Sequence, residues 1–238
     1  MRTTVWLLLL CGLISLNVSA ADSEFKEGVN YKVTPRPEKL PDPNKIEVLE
    51  FFWYGCPHCY DFESHIQPWL AHKPEGVSFT RIPHDLGREA GETHALAYHI
   101  AEKLGIVKRI HAPMFKAIHD LKQPMDRLND VCDLFAKQGG ITDEQCHAAA
   151  DDEDVKHARN HDDFLIRHYE IANVPALVVD GRYYTDAIMA GGMSNLVKVL
   201  DVLIAKQKAA RNIQTTLPDE APPAAPPPKV RAATPSPF

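Results

Sequence analysis

The residues best placed to do chemistry are Cys56 and Cys59, which are separated by two residues. The run 46–54 before them is rich in β-branched and aromatic side chains and stops at Gly55, as a buried strand would. From Pro57 onward the apolar residues recur with helical spacing. Two cysteines at the junction between a strand and a helix predict a redox site.

The expected positions of the two sulfur atoms give them different chemistry. If Cys56 is the N-cap and Pro57 the first helical residue, Cys56 Sγ lies beside unpaired backbone N–H groups and the positive end of the helix dipole. Both favour a thiolate. Cys59 follows one turn later, close enough to form a disulfide with Cys56 and more shielded from solvent. Cys56 is therefore the predicted nucleophile and Cys59 the predicted resolving thiol.

His58 lies between the two cysteines and adds a hydrogen-bond donor and, when protonated, a positive charge near Cys56. A stabilised thiolate stabilises the reduced pair, so the disulfide is easier to reduce and the protein is a stronger oxidant. The dipeptide Pro57-His58 therefore favours a disulfide donor over a reductase. A zinc half-site is the alternative, but no second C-x-x-C or His-x-x-x-His at finger spacing follows within reach.

The run 51–60, taken together with Val174-Pro175 far downstream, resembles the DsbA family of periplasmic thiol:disulfide oxidoreductases. The resemblance extends from about Phe25 to Lys208. It implies an α/β thioredoxin fold with an inserted all-helical domain. The implied activity is donation of the Cys56–Cys59 disulfide to unfolded or folding exported proteins, with no other cofactor.

The resemblance also implies roles for residues away from the two cysteines. Glu50 matches an acidic residue that lies beneath the active site and takes part in proton transfer; a solvent-facing strand residue is the alternative. The proline matching Pro175 is cis and faces the disulfide, which leaves the backbone of Val174 free to pair with an extended substrate. The implied partner is a quinone-linked membrane oxidase of the DsbB type, which would meet the protein beside Cys56, His58 and Pro175.

The other three of the five cysteines have different predicted fates. Cys11 lies in the apolar run of a predicted signal peptide, residues 1–20, which directs the chain to the periplasm and is removed. Cys132 and Cys146 lie in helical patterns of an exported protein, where disulfides persist. A structural disulfide between two adjacent helices is favoured; two free buried thiols or a second redox centre are the alternatives.

The hydrophobic pattern divides the mature chain into four parts. Residues 21–83 and 171–210 are the two parts of a thioredoxin-like domain, and residues 84–170 are an inserted helical domain. Residues 211–238 are a Pro/Ala-rich tail that is expected to be disordered. The expected elements are strands at 31–33, 46–54, 77–83, 177–179 and 182–184, a first helix at 57–72, inserted helices at about 89–104, 110–121, 125–138, 142–149 and 155–169, and a last helix capped by Ser194.

Several functions are disfavoured by composition and motifs. A net charge of −6 argues against a nucleic-acid partner. His157 and His161 are one helical turn apart, but the sequence places no third ligand, so no metal site is expected. We expect a monomer. The rival functions are a reductase or isomerase on the same fold, which usually needs a dimerisation domain, and a chaperone-like binding module with a structural CxxC.

Overall fold

A five-stranded mixed sheet forms the centre of the structure, a computed structural model that describes residues 24–37 and 42–212. The strand order is β1-β5-β4-β2-β3. β2 is parallel to β3 and antiparallel to β4. The strands are β1 (Lys32–Val33), β2 (Ile46–Phe52), β3 (Val77–Pro83), β4 (Ala176–Val179) and β5 (Tyr183–Asp186). The expected signal peptide and nearly all of the expected tail lie outside the described residues.

Strand β2, which lies between β4 and β3, is buried on both faces, which explains its nearly continuous apolar sequence. Leu49 and Phe51 join one cluster of buried side chains, whereas Val48 and Phe52 point to the opposite face. Glu50 points to the same face as Val48 and Phe52 and is only 1% exposed. The solvent-facing alternative for Glu50 is therefore wrong.

Eight α-helices surround the sheet in the described part of the chain. α1 and α8 pack together and bury Phe62, Ile66 and Leu200 in the same cluster as Val48. α2 to α6 all lie between β3 and β4 in the chain. The helices are α1 (Pro57–Ala71), α2 (Glu89–Lys103), α3 (Val107–His119), α4 (Leu128–Leu134), α5 (Asp143–Ala150), α6 (Glu153–His168), α7 (Ala187–Ala190) and α8 (Met193–Ala210).

The inserted helices have their own core, and this core reaches the cysteine pair. Buried side chains of α2, α3, α4 and α5 form one cluster that also contains Cys56 and Cys59. Cys132 of α4 and Cys146 of α5 form a disulfide within this cluster, which confirms the favoured pairing, and the alternative of two free buried thiols is wrong. The capping box of Thr142 and Gln145 begins α5 at the expected place.

Some helix ends differ from the sequence-based expectation. The helix expected from residue 125 begins at Leu128, because Met125 has a left-handed backbone with φ 52°. A π-helical turn, Phe135–Gly139, continues it. The helix expected from residue 110 begins at Val107. The last helix begins at Met193 with Gly192 as its N-cap, so Ser194 lies inside the first turn and does not cap it.

The end of the sheet contains one tight turn and one short helix. Three residues, 180–182, join β4 and β5, so Arg182 lies in the turn and not in the strand as expected. Asp180 and Gly181 have positive φ angles, 55° and 62°, as the two central residues of a type I′ turn do. Asp186 ends β5 and caps α7, since its Oδ1 accepts hydrogen bonds from the N–H groups of Ile188 and Met189. The sequence had not indicated α7. Over residues 24–37 and 42–212, no helix is long and apolar enough to cross a membrane.

Candidate active site

Cys56 and Cys59 lie at the junction of β2 and α1, and both are free thiols in this structure. Cys56 is the N-cap of α1, with φ −88° and ψ 117°, and Pro57 is the first helical residue. Cys56 is 7% exposed and Cys59 is 1% exposed. The structure therefore has the expected geometry, in which the first sulfur borders solvent and the second is shielded.

The environment of Cys56 stabilises its thiolate and lowers its pKa to about 6. The largest contribution is the hydrogen bond from the thiol of Cys59, while burial acts in the opposite direction. The backbone N–H groups of Cys59 and His58 contribute next, and the charge of His58 contributes least. Because His58 is exposed, its charge is well screened by water. The end of the helix therefore contributes more than the histidine side chain.

Cys59 has the opposite tendency, since burial raises its pKa well above the ordinary value. The hydrogen bond and charge of Cys56 raise it further, and so does the charge of Glu50. At neutral pH the pair therefore carries one thiolate, on Cys56, and one proton, on Cys59. This asymmetry suits a nucleophile or leaving group next to a resolving thiol.

The peptide bond between Val174 and Pro175 is cis and lies beside the cysteines. Cys56 Sγ lies 3.6 Å from the carbonyl oxygen of Val174, to which it donates a hydrogen bond when it is protonated. Pro175 has no N–H group to place near the sulfur. The loop before β4 therefore brings a main-chain carbonyl to the reactive sulfur.

A groove of about 610 Å³ opens next to Cys56. Its walls come from the start of α1, the loop before β4, and the region of α7 and α8. Ile188 is the most exposed large apolar side chain described, at 78%, and it lines this groove. The other apolar lining residues are Trp53, Pro57, Leu86, Ala172, Val174, Pro175, Ala187 and Met193. The groove can therefore accept apolar side chains of another chain.

Beneath the cysteines lies a buried ionic cluster that begins at Glu50. Glu50 on β2 is opposite Arg81 on β3, with 2.9 Å between Glu50 Oε2 and Arg81 Nε. Arg81 Nη2 also donates to Glu63 Oε1 at 3.0 Å. Burial raises the pKa of Glu50 to about 7, against the opposing charge of Arg81, and the charge of Glu63 raises it further. Glu50 can therefore both hold and release a proton near neutral pH.

The structure brings most of the residues predicted from the sequence to one place. Cys56, Pro57, His58, Val174 and Pro175 all line the groove. Cys59 lies just behind them, and its pKa is raised by the charge of Glu50.

Sequence reasoning missed Glu63, Arg81 and His111, which complete the ionic cluster. Two of the three had a usable signal. Glu63 is four residues after Cys59 and so lies on the same face of α1, and Arg81 is a lone cation in an otherwise half-buried strand. His111 has no comparable signal in the sequence.

The described residues contain one group of side chains that could be taken for metal ligands. One group of three ligand atoms lies within 4.8 Å, from Cys132, Asp143 and His147. The sulfur of Cys132 is bonded to Cys146, so it has no thiolate to offer. The histidines at 157 and 161 are exposed on α6. None of these groups touches the groove.

Comparison with known proteins gives consistent matches. The thioredoxin family model matches residues 44–199. The chain is 34% identical to the thiol:disulfide interchange protein DsbA of Pseudomonas syringae pv. tomato, covering 85% of this chain and 94% of that protein. It is 34% identical to DsbA of Azotobacter vinelandii, covering 81% and 89%. The crystal structure of Pseudomonas aeruginosa DsbA is similar with a TM-score of 0.75 and 32% identity, covering 80% and 98%. These matches confirm the expected thioredoxin fold with inserted helices.

Proposed function

Since the chain belongs to the DsbA family and is a disulfide oxidoreductase, we propose that Cys56 and Cys59 carry the disulfide that it donates to exported proteins. The observation that carries this assignment is the opposite shift of the two thiol pKa values. The pKa of Cys56 is lowered to about 6, and that of Cys59 is raised well above its ordinary value. A sulfur that is stable as a thiolate is a good leaving group, so a mixed disulfide on Cys56 is resolved easily in favour of an oxidised substrate.

In the first step a substrate thiolate attacks Cys56 Sγ of the oxidised pair. The Cys56–Cys59 bond breaks, a mixed disulfide forms between Cys56 and the substrate, and Cys59 leaves with the electron pair of the broken bond. Because Cys59 is buried and its pKa is raised, its sulfur takes up a proton rather than remaining a thiolate.

In the second step another thiolate of the same substrate attacks the substrate sulfur of the mixed disulfide. A disulfide forms within the substrate, and Cys56 leaves as a thiolate. The substrate has then lost two electrons and the cysteine pair has gained them. The backbone N–H groups at the start of α1 stabilise the leaving thiolate of Cys56.

We propose Glu50 as the proton donor to Cys59 in the first step and as the acceptor of that proton when the pair is oxidised again. Its pKa of about 7 gives both forms of the carboxyl at neutral pH. Its charge acts on Cys59, which supports a short path between them. Arg81 alone could not do this, since a guanidinium keeps its protons in proteins.

We propose that the groove holds the substrate while the disulfide is transferred. The main chain of Val174 can pair with an extended segment, as in strand addition, and this requires a substrate that is not yet folded. The apolar walls, with Ile188 78% exposed, fit the apolar side chains that such a segment exposes. Lack of folded structure, rather than one sequence, would then define the substrate.

The setting of the reaction is proposed from the same family membership. We place the protein in the periplasm, acting as a monomer, with the cysteine pair as its only redox group. A quinone-linked membrane oxidase of the DsbB type would take the two electrons from the reduced pair. Its reactive segment would enter the same groove, because the Cys56 thiolate would attack a disulfide of the oxidase, and Cys59 would then attack Cys56 Sγ of the mixed disulfide and leave the two electrons on the thiols of the oxidase.

The glutathione equilibrium of the purified chain tests the proposed direction. Trp53 borders the pair and has Arg88 over its ring at 5.4 Å, so its fluorescence should report the redox state. We expect Cys56–Cys59 to be reduced by mixtures in which oxidised glutathione still dominates. Alkylation followed by peptide mass analysis should find Cys132–Cys146 still bonded in the same samples, which makes it an internal control. A Cys56–Cys59 pair that stays oxidised in strongly reducing mixtures would contradict donation.

A further inference from the structure

Arg81 is shared by two carboxylates, and this raises the question of which one carries a proton. Its Nε lies 2.9 Å from Glu50 and its Nη2 lies 3.0 Å from Glu63. The Arg81 and Glu63 side chains are 12% and 13% exposed, and that of Glu50 is 1% exposed. One cation cannot neutralise two buried anions, so the pair retains a proton into the neutral range.

Glu63 has more donors than Glu50. Glu63 Oε2 accepts a hydrogen bond from Gln67 Nε2 at 2.7 Å, and Oε1 lies 3.2 Å from His111 Nε2 in addition to Arg81. The contact of Glu50 with Arg81 is close but poorly directed, and so is that of Glu63 with His111 Nε2. Among the described residues Glu63 has two well-directed donors, Arg81 Nη2 and Gln67 Nε2, whereas Glu50 Oε2 has none. The ionised form is therefore better supported at Glu63 than at Glu50.

His111 contacts both Glu63 and Tyr54. Its Nδ1 lies 2.8 Å from the hydroxyl oxygen of Tyr54, and its ring is buried. Burial lowers the pKa of His111 and raises that of Tyr54, so both groups are neutral at pH 7. A neutral imidazole has one N–H group, and placing it on Nδ1 would aim the Nε2 lone pair at the carboxylate of Glu63. Tyr54 therefore donates to Nδ1, and the N–H group is on Nε2, toward Glu63.

We propose that His111 is a positioning residue that stabilises the charge of Glu63 and thereby strengthens the preference of the shared proton for Glu50. Tyr54 fixes the tautomer in which His111 can do so. The inference rests on the proposed proton transfer between Glu50 and Cys59, since it concerns the preference of the proton for the carboxyl whose charge acts on Cys59.

The other ionisable groups around Glu50 do not compete for this role. Tyr98 is buried with a raised pKa, so it is neutral, and the guanidinium remains charged at all relevant pH values. In the disulfide form neither cysteine titrates. The groups that interact with Glu50 are Arg81 from β3, Cys59 and Glu63 from α1 and Tyr98 from α2. His111 from α3 and Tyr54 from the segment after β2 act on Arg81 and Glu63.

The test is a carboxyl carbon NMR titration of the full chain in its disulfide form, with Glu50 and Glu63 assigned by Glu50→Gln and Glu63→Gln. In the native protein the two midpoints should be far apart, near the pKa values of about 7 and about 2. His111→Leu should raise the Glu63 midpoint by roughly one to two pH units, the value of a lost hydrogen bond to a charged group. The gap between the two midpoints then narrows by the same amount. This corresponds to a ten- to hundred-fold smaller preference of the shared proton for Glu50 over Glu63.

Matched variants separate this effect from a general loss of packing. His111→Gln keeps an amide donor that can reach Glu63 and should restore the wide gap. If His111→Leu does not fold, Tyr54→Phe removes only the hydroxyl and should narrow the gap in the same direction by a smaller amount. An unchanged gap in a folded His111→Leu or Tyr54→Phe protein overturns the inference, and so does a gap that His111→Gln narrows as much as His111→Leu.

The role of Glu50 itself is tested separately by the rate at which Glu50→Gln protein is reoxidised. A normal rate would reject proton transfer by Glu50, whatever the titration of Glu63 shows. A slow rate combined with an unchanged titration gap in His111→Leu would reject only the role of His111.

Discussion

The chain contains two cysteine pairs that differ in chemistry although both are buried. Cys56 and Cys59 are free thiols, whereas Cys132 and Cys146 form a disulfide between α4 and α5. All four belong to the same cluster of buried apolar side chains, and none is more than 7% exposed. Burial therefore does not separate a reactive pair from an inert one.

The position of each cysteine on its helix does separate the two pairs. Cys56 precedes the first turn of α1, where backbone N–H groups have no partner within the helix and can stabilise a thiolate. Cys132 and Cys146 lie within α4 and α5, where the N–H groups are used by the helix itself. The groove also reaches Cys56, and neither Cys132 nor Cys146 lines it. A thiolate is stabilised only where hydrogen-bond donors are free, and thiol–disulfide exchange requires that another chain can reach the sulfur.

The largest expected effect is the loss of exchange when Cys56 is replaced. Cys56→Ser removes the sulfur that substrate thiolates attack, so oxidation of a reduced peptide with two cysteines should fall to the uncatalysed rate. The matched control, Cys132→Ala with Cys146→Ala, should retain its exchange rate. The measurement is the count of free peptide thiols with time. Residual catalysis by Cys56→Ser protein would mean that the Cys132–Cys146 pair is also redox-active. The two pairs would then not differ in chemistry.

The free energy of unfolding should depend on the Cys132–Cys146 pair more than on the Cys56–Cys59 pair, the reverse of the effect on exchange. Removing the Cys132–Cys146 bond by the double alanine change should lower the free energy of unfolding by about 3 kcal/mol, as expected for a loop closed over a separation of 14 residues. Reducing Cys56–Cys59 should instead stabilise the protein, because a disulfide that is easily reduced is one whose reduced form is favoured by the fold. Urea unfolding of oxidised, selectively reduced and variant protein measures both effects. A loss of stability on reducing Cys56–Cys59 would contradict the proposed direction.

The features that could be predicted from the sequence depend on neighbouring residues. Pro57 is the first helical residue, and Cys56 is therefore the N-cap, because proline favours this position whatever the rest of the chain does. The same holds for the turn at Asp180-Gly181 and the capping box that starts with Thr142. Such signals depend on only a few adjacent residues, so they can be recognised in the sequence without knowledge of the fold.

The features that could not be predicted depend on contacts between distant segments. Tyr54 and His111 are 57 residues apart, and only the packing of α3 against the end of β2 brings them to 2.8 Å. Ser194 is a good capping residue, but Gly191 and Gly192 both have positive φ angles, and the helix begins directly after them. In both cases tertiary packing decided between local possibilities that the sequence left open.

A third prediction concerns pH and applies to the reduced protein. The thiolate absorbance of Cys56 should appear with a midpoint near its pKa of about 6, against an ordinary pKa of 9.0 for a cysteine thiol. Because the folded pKa is the lower one, the thiolate stabilises the fold fully above pH 9 and loses this contribution as the pH falls through 6. The stability of reduced protein relative to Cys56→Ser should therefore increase from about pH 6 to 9. Equal pH dependence of the two proteins would show that Cys56 has an ordinary thiol.

The same titration can divide the effect on Cys56 between His58 and Cys59, and the smallest change is expected at His58. His58→Ala removes an exposed charge but keeps the backbone N–H groups, so the pKa of Cys56 should rise only slightly. Cys59→Ala removes the largest stabilising contact and should raise it more. If His58→Ala has the larger effect, then side-chain charge rather than the helix terminus distinguishes the two cysteine pairs. If His58→Ala has no effect, the helix terminus and Cys59 account for the thiolate without the histidine.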